Sequence, residues 1–165
     1  GFGCRILFYS VDYDPKVAQS AEFADLDTLY AESDIITFHL PLLPATKHMI
    51  NRDSLKKLKK GVILINTARG ELFETEALIE GIESCKIGSL AMDVFEGEDG
   101  IYHVDLTDDI VRNRDMAYLR QFPNVVLTQH MAFYTQLSMD SMIENSVQGL
   151  VDFNESGASR YEIKY

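Results

Sequence analysis

Positive charge is scarce in this sequence of 165 residues, which sets 15 Lys and Arg against 26 Asp and Glu for a net charge of −11. Nucleic acids are held through phosphate neutralisation by clustered basic side chains, so this balance argues against a nucleic-acid partner and equally against an anionic membrane surface. Cysteine is also scarce. Cys4 and Cys85 stand far apart and match no metal-ligand spacing, so they read as buried or half-buried free thiols in a reducing compartment. No apolar run approaches the length of a membrane span and no signal segment precedes the first apolar stretch, which implies a soluble, cytoplasmic protein. A third glycine is missing too. The opening "GFGCRILFYS" offers Gly1 and Gly3 ahead of an apolar run, whereas a dinucleotide fingerprint needs G-x-G-x-x-G after a strand, so this stretch is not a phosphate cradle.

What is present alternates. Short runs rich in Ile, Val and Leu occur at 5–9, 34–40, 61–66, 88–95 and 124–128, with helical periodicity between most of them. Strands apolar on both faces and separated by amphipathic helices indicate a parallel sheet covered on both sides, an α/β doubly wound architecture. Asp25 is placed to cap a helix that buries Leu26, Leu29 and Tyr30. Asn51 or Asp53 caps the next, which buries Leu55 and Leu58 and stops at Gly61. The lysines 56, 57, 59 and 60 sit in its last turn and read as a solvated helix end. A third helix follows Thr75 with Ala77, Leu78 and Ile82 inward. The longest starts near Thr135, and the spacing of Met139, Met142, Ile143, Val147, Leu150 and Val151 reads as core packing. Residues 96–120 are acidic and weakly periodic, a long connection of the kind that carries function. Residues 1–153 read as the folded body, and from residue 154 onward the sequence reads as a polar tail or the beginning of something that continues elsewhere.

In an open parallel sheet, ligands bind beyond the carboxyl ends of the strands. Arg69 follows the run 61–66, Glu96 and Glu98 follow 88–95, and His130 follows 124–128. An arginine suits bidentate binding of a carboxylate, a histidine exchanges a proton near neutral pH, and a nearby glutamate favours the imidazolium. That is the equipment for reducing a 2-oxo acid by hydride from a nicotinamide. On position and charge alone, a surface arginine, a solvated acid and a structural histidine account for the three equally well. The acids 105, 108 and 109 lack the glycine and glutamate of a calcium loop, so no metal is expected. His39, His48 and His103 form no ligand pattern and read as structural or exposed.

The blocks "GVILINTARGEL", "AMDVFEGE" and "NVVLTQHMAFYT", in that order and joined by "ITFHLPLLPATKHMIN", resemble the NAD-dependent D-isomer-specific 2-hydroxyacid dehydrogenases over nearly the whole chain. The "AFYT" after the histidine is most similar to the D-lactate and D-2-hydroxyisocaproate branch. The resemblance implies Arg69 as the substrate-carboxylate residue, His130 as acid and base, and Glu98 as its partner, with Glu96 only supporting. It implies Asp93 at the nicotinamide end of the cofactor, and Leu40, Pro41, Thr46, Thr67 and Ala68 along the cofactor cleft. Ser10 stands where the family commonly places an aspartate for the adenosine ribose, so NAD and NADP both stay open, with Asp12 or Asp14 available as a substitute acid. Gln129 replaces the usual proline before the histidine.

The family's strand order of 3-2-1-4-5-6 further implies that "GFG" leads into the second strand and that the first, central strand with its phosphate loop is missing. The expectation is then a C-terminal portion of a dehydrogenase acting on a small 2-oxo acid, inactive alone, and a homodimer. Relatives that sense NADH as corepressors offer an alternative, as does a remnant stable only through dimerisation.

Overall fold

The computed structural model describes residues 2–106, 108–110 and 112–162. Gly1 of the "GFG" turn, Thr107 and Val111 of the acidic connection, and residues 163–165 of the expected tail lie outside the described residues. The chain folds as two compact units, residues 1–129 and residues 130–165.

Among the described residues, the first unit contains six parallel strands in two sheets. Strands β1 (Leu7–Phe8) and β2 (Glu22–Phe23) form one; β3 (Ile35–Phe38), β4 (Val62–Asn66), β5 (Ile87–Met92) and β6 (Val125–Leu127) form the other, side by side in that order. The doubly wound parallel architecture read from the sequence is therefore present. Its expected interruption is present as well, because no described strand pairs β1 with β3. The carbonyls of Ile6 and Phe8 accept from Glu22 and Ala24, and that of Asp34 accepts from Ile63. Successive carbonyls of a strand alternate sides, so Leu7 and Ile35 turn theirs away from their paired neighbours. A cavity of about 490 Å³ opens there, lined by Arg5, Ile6, Leu7 and Leu29 on one side and Ile35 and Thr37 on the other.

Local sequence explains the helices. Asp25 caps α1 (Leu26–Glu32) by accepting from the Thr28 amide at 2.7 Å, and Tyr30 is buried beneath it. Of the two candidates for α2 (Arg52–Lys57), Asn51 is the cap, accepting from Asp53 and Ser54 while Ser54 Oγ accepts from the Asn51 amide. The helix ends at Lys57, short of Gly61, so Lys59 and Lys60 lie beyond it. Lys56, Lys57 and Lys59 each pair with an acid, Asp53, Asp27 and Asp34 respectively, as expected of a solvated helix end. Helix α3 (Thr75–Glu83) buries Ala77, Leu78 and Ile82 against the sheet.

Several expectations need correction. The acidic connection contains a helix, α4 (Arg114–Leu119), because Asn113 caps it at the Met116 amide and Met116 and Leu119 reach the core. Strand β2 was invisible as periodicity, since two residues carry no period. Both cysteines are exposed: Cys85 sits in the turn after α3 with φ +57° and Cys4 lies ahead of β1. The methionine-bearing stripe of the longest helix, α5 (Gln136–Ser156), packs no core, for none of its residues is buried and Leu150 is 72% exposed. Among the described residues the second unit has one helix, and residues 157–162 fold back on it. Tyr161 donates to Asn145 and Arg160 pairs with Asp152 on a polar side, so the apolar stripe stays uncovered within its own unit. Helix α5 also runs through Ser156, into the segment expected as a tail, and ends on Gly157 at φ +73°.

Candidate active site

The carboxyl ends of β3 and β4 are where the candidate residues gather. His39, Leu40, Pro41, Leu42, Thr67, Ala68 and Arg69 line one cavity of about 510 Å³. Five of these were picked out from the sequence as cleft or substrate residues; His39 and Leu42 were not. His39 is set by Thr37, whose Oγ1 lies 2.9 Å from its Nε2. Its lone position gave no ligand pattern, but its place directly after a strand was the available signal. Thr46 is buried beside this lining and shapes the loop, donating to the Pro41 carbonyl at 2.7 Å and accepting from the Leu43 amide at 2.8 Å.

Asn66, buried at the end of β4, determines where Arg69 stands. Its Oδ1 accepts from the Ala68 amide at 3.0 Å and its Nδ2 donates to the Arg69 carbonyl at 2.8 Å, closing the turn. Arg69 is exposed, with Nη1 donating to the Ala68 carbonyl at 2.7 Å. Gly70 follows because nothing larger fits: a Cβ there would stand 2.1 Å from the Phe95 carbonyl carbon and 2.4 Å from the Glu96 nitrogen. Sequence reasoning passed over both Asn66 and Gly70. The arginine turn thus lies directly on the backbone of the loop that follows β5.

That loop carries the acids. Asp93 is 5% exposed; its amide donates to the Asn66 carbonyl at 3.0 Å and its carboxylate accepts from Thr128. Glu98 is half-buried and accepts from the Phe95 amide at 2.6 Å, so its carboxylate closes its own loop. Glu96 points elsewhere, to His48 and Thr75. Arg69, Asp93 and Glu98 therefore belong to two loops in direct backbone contact within the first unit. His130 opens the second unit, half-buried and with a left-handed φ of +54°. Ser10 is half-buried just past β1; of the acids near it, Asp14 accepts from the Lys16 amide at 2.8 Å. Among the described residues, no three His, Cys, Asp or Glu side chains converge to hold a metal ion.

Comparison with known proteins gives a consistent answer. Residues 1–132 match the family model described as D-isomer specific 2-hydroxyacid dehydrogenase, NAD binding domain. The chain is 40% identical over 161 residues to an aromatic 2-oxoacid reductase of Clostridium sporogenes, covering 97% of this chain and 49% of that protein. It is 36% identical over 165 residues to a D-lactate dehydrogenase of Lactobacillus delbrueckii subsp. bulgaricus, covering 99% and 50%. Among solved structures, D-lactate dehydrogenase with NAD+ from Lactobacillus jensenii superposes with a TM-score of 0.92 at 34% identity, over 99% of this chain and 49% of that one. The chain spans about half the length of the curated relatives it matches.

Proposed function

The chain belongs to the D-isomer specific 2-hydroxyacid dehydrogenases through their NAD binding domain, and from that premise we propose that it serves hydride transfer between a nicotinamide cofactor and a small 2-oxo acid of the D-lactate type. The observation that carries this reading is the gathering of Leu40, Pro41, Thr67, Ala68 and Arg69 on one cavity at the strand ends. Its wall suits the cofactor, with apolar Leu40, Pro41 and Leu42 facing the polar Thr67 and Arg69. When bound, NADH supplies the hydride. Arg69 holds the substrate carboxylate through two parallel charge-assisted hydrogen bonds, from a turn that Asn66 keeps rigid. His130 delivers a proton to the oxygen formed from the carbonyl, and Glu98 orients it and favours its charged form. Asp93 faces the nicotinamide end. NAD is the expected partner, with NADP a test of whether Ser10 has relaxed the choice. The protein is further expected to work as a cytoplasmic homodimer, which light scattering checks; among the described residues no helix is long and apolar enough to cross a membrane.

The test is NADH oxidation with pyruvate and with 2-oxoisocaproate by the protein at its full native length. Arg69→Ala is expected to lower kcat/KM by at least about a hundredfold, the effect of losing two hydrogen bonds to a charged group. Cofactor binding without turnover in the unsubstituted protein would overturn the enzymatic reading in favour of a cofactor-sensing module.

A further inference from the structure

Glu96, in the loop that follows β5, finds partners on two other segments. Its Oε1 lies 2.6 Å from His48 Nε2, while Oε2 accepts from the Thr75 amide at 3.3 Å and from Thr75 Oγ1 at 3.1 Å. Thr75 opens α3, whose own N-cap residue, Glu74, makes no capping hydrogen bond with its side chain. Glu96 therefore supplies from outside the acceptor that a helix start requires, and meets the positive end of the helix dipole there.

His48 is just as firmly placed. Its amide donates to the Glu71 carbonyl at 2.8 Å and its carbonyl accepts from Asn51 Nδ2 at 2.8 Å. Its backbone is left-handed at φ +53°, a conformation that L side chains rarely adopt. Simple surface packing would not call for that strain. The same segment bridges Ile50 to Phe73, just past the Arg69 turn, and includes Thr46.

We propose that Glu96 is a positioning residue: through His48 and Thr75 it fixes the loop of residues 93–98 against the arginine turn, and so sets where Asp93 and Glu98 stand relative to Arg69. The inference rests on the site reading above for its functional meaning, though not for its structural content. The hydrogen-bond geometry carries it. Burial by itself would raise the Glu96 carboxyl, but the hydrogen bonds from His48 and Thr75 outweigh burial and hold it below the ordinary glutamate range. Glu74, Glu76 and Asp115 line the same hollow of about 400 Å³ and are the other carboxylates facing it.

Two readouts separate positioning from a plain contribution to stability. In the chain itself, Glu96→Ala is expected to speed amide exchange at Phe95 and Glu98 at least tenfold while β4 and β5 exchange as before. His48→Gln should produce the same local pattern. Glu96→Gln, which keeps an acceptor for Thr75, should restore most of the protection. In the full-length dehydrogenase, Glu96→Ala should lower kcat at least tenfold with the KM for the 2-oxo acid within twofold, since Arg69 is untouched; Glu96→Gln should recover most of the rate. Unchanged exchange at Phe95 and Glu98, or a uniform rise across β4 and β5, overturns the proposal. If the unsubstituted protein turns over no 2-oxo acid, the functional reading falls, and the exchange measurement still decides whether Glu96 fixes the loop.

Discussion

The two sheets of the first unit are both parallel, yet they are held in different ways. In the four-stranded sheet β4 has a neighbour on each side, and Val62, Leu64, Ile87 and Leu90 are sealed between the sheet and its covering helices. In the two-stranded sheet Phe23 is 45% exposed and Leu7 only half-buried. Its substitutes for a core are local. Phe8, Tyr13 and Phe23 meet edge-on or tilted with centroids 5.4–6.4 Å apart, and Arg5 spans Glu22 and Glu32 at 2.8 and 2.6 Å. Strand pairing alone adds little net stability, because folding exchanges hydrogen bonds with water for hydrogen bonds within the chain. Covered faces make the difference.

The sharpest way to break that comparison is to truncate one apolar side chain in each sheet. Leu64, 0% exposed, becomes a cavity on Leu64→Ala, and the expected loss is about 3 kcal/mol in denaturant unfolding. Phe23→Ala should cost only about 1 kcal/mol, the worth of an aromatic edge contact on a half-open surface. Equal losses would mean the two-stranded sheet has a core of its own. Native-state amide exchange sharpens the contrast. Amides of β4 and β5 should open only with the whole unit, whereas those of β1 and β2 should exchange roughly a thousandfold faster through local opening.

The smallest effect concerns Arg5. Its hydrogen bond and charge hold the Glu22 carboxyl below the ordinary range against a modest opposing effect of desolvation. A carboxyl lowered on folding adds stability above its unfolded value and loses it as pH falls through the folded one. Acidification from about pH 4 downward, or high salt, should therefore lower the protection of β1–β2 amides, read against the intrinsic exchange rate at each pH, and leave the protection of β4–β5 unchanged. An Arg5→Ala chain should show the fast exchange already at neutral pH.

Why some features were legible in the sequence follows from the same contrast. Strands β3 to β5 announce themselves because each is an apolar run rich in Ile, Val and Leu with buried side chains in it, and Asp25 and Asn51 announce helix starts because capping is local chemistry. Strand β2 has two residues and α4 has six, too few for a pattern to rise above its surroundings. Helix α5 misled in the other direction, since periodicity reports an apolar stripe and does not say what covers it. At the site, Arg69, Asp93 and Glu98 stood out through motif and strand-end position. Gly70 and the link from His48 to Glu96 did not, because each acts through a partner far away in the sequence: Gly70 on Phe95, His48 on a carboxylate 48 residues later. Asn66 did not either, because its side chain closes a turn onto backbone groups that any sequence has.

The contact at Gly70 also says where this architecture tolerates change. With backbone lying on backbone, residues 66–70 and 93–96 have no slack, and an insertion in either would push the other out of place. Gly97 and Gly100, with no neighbour within 4 Å of a would-be Cβ, mark where slack begins. An engineer wishing to graft a longer loop onto this scaffold, or a lineage drifting toward a new substrate, has free length at Gly97 and Gly100 and none within residues 66–70 and 93–96.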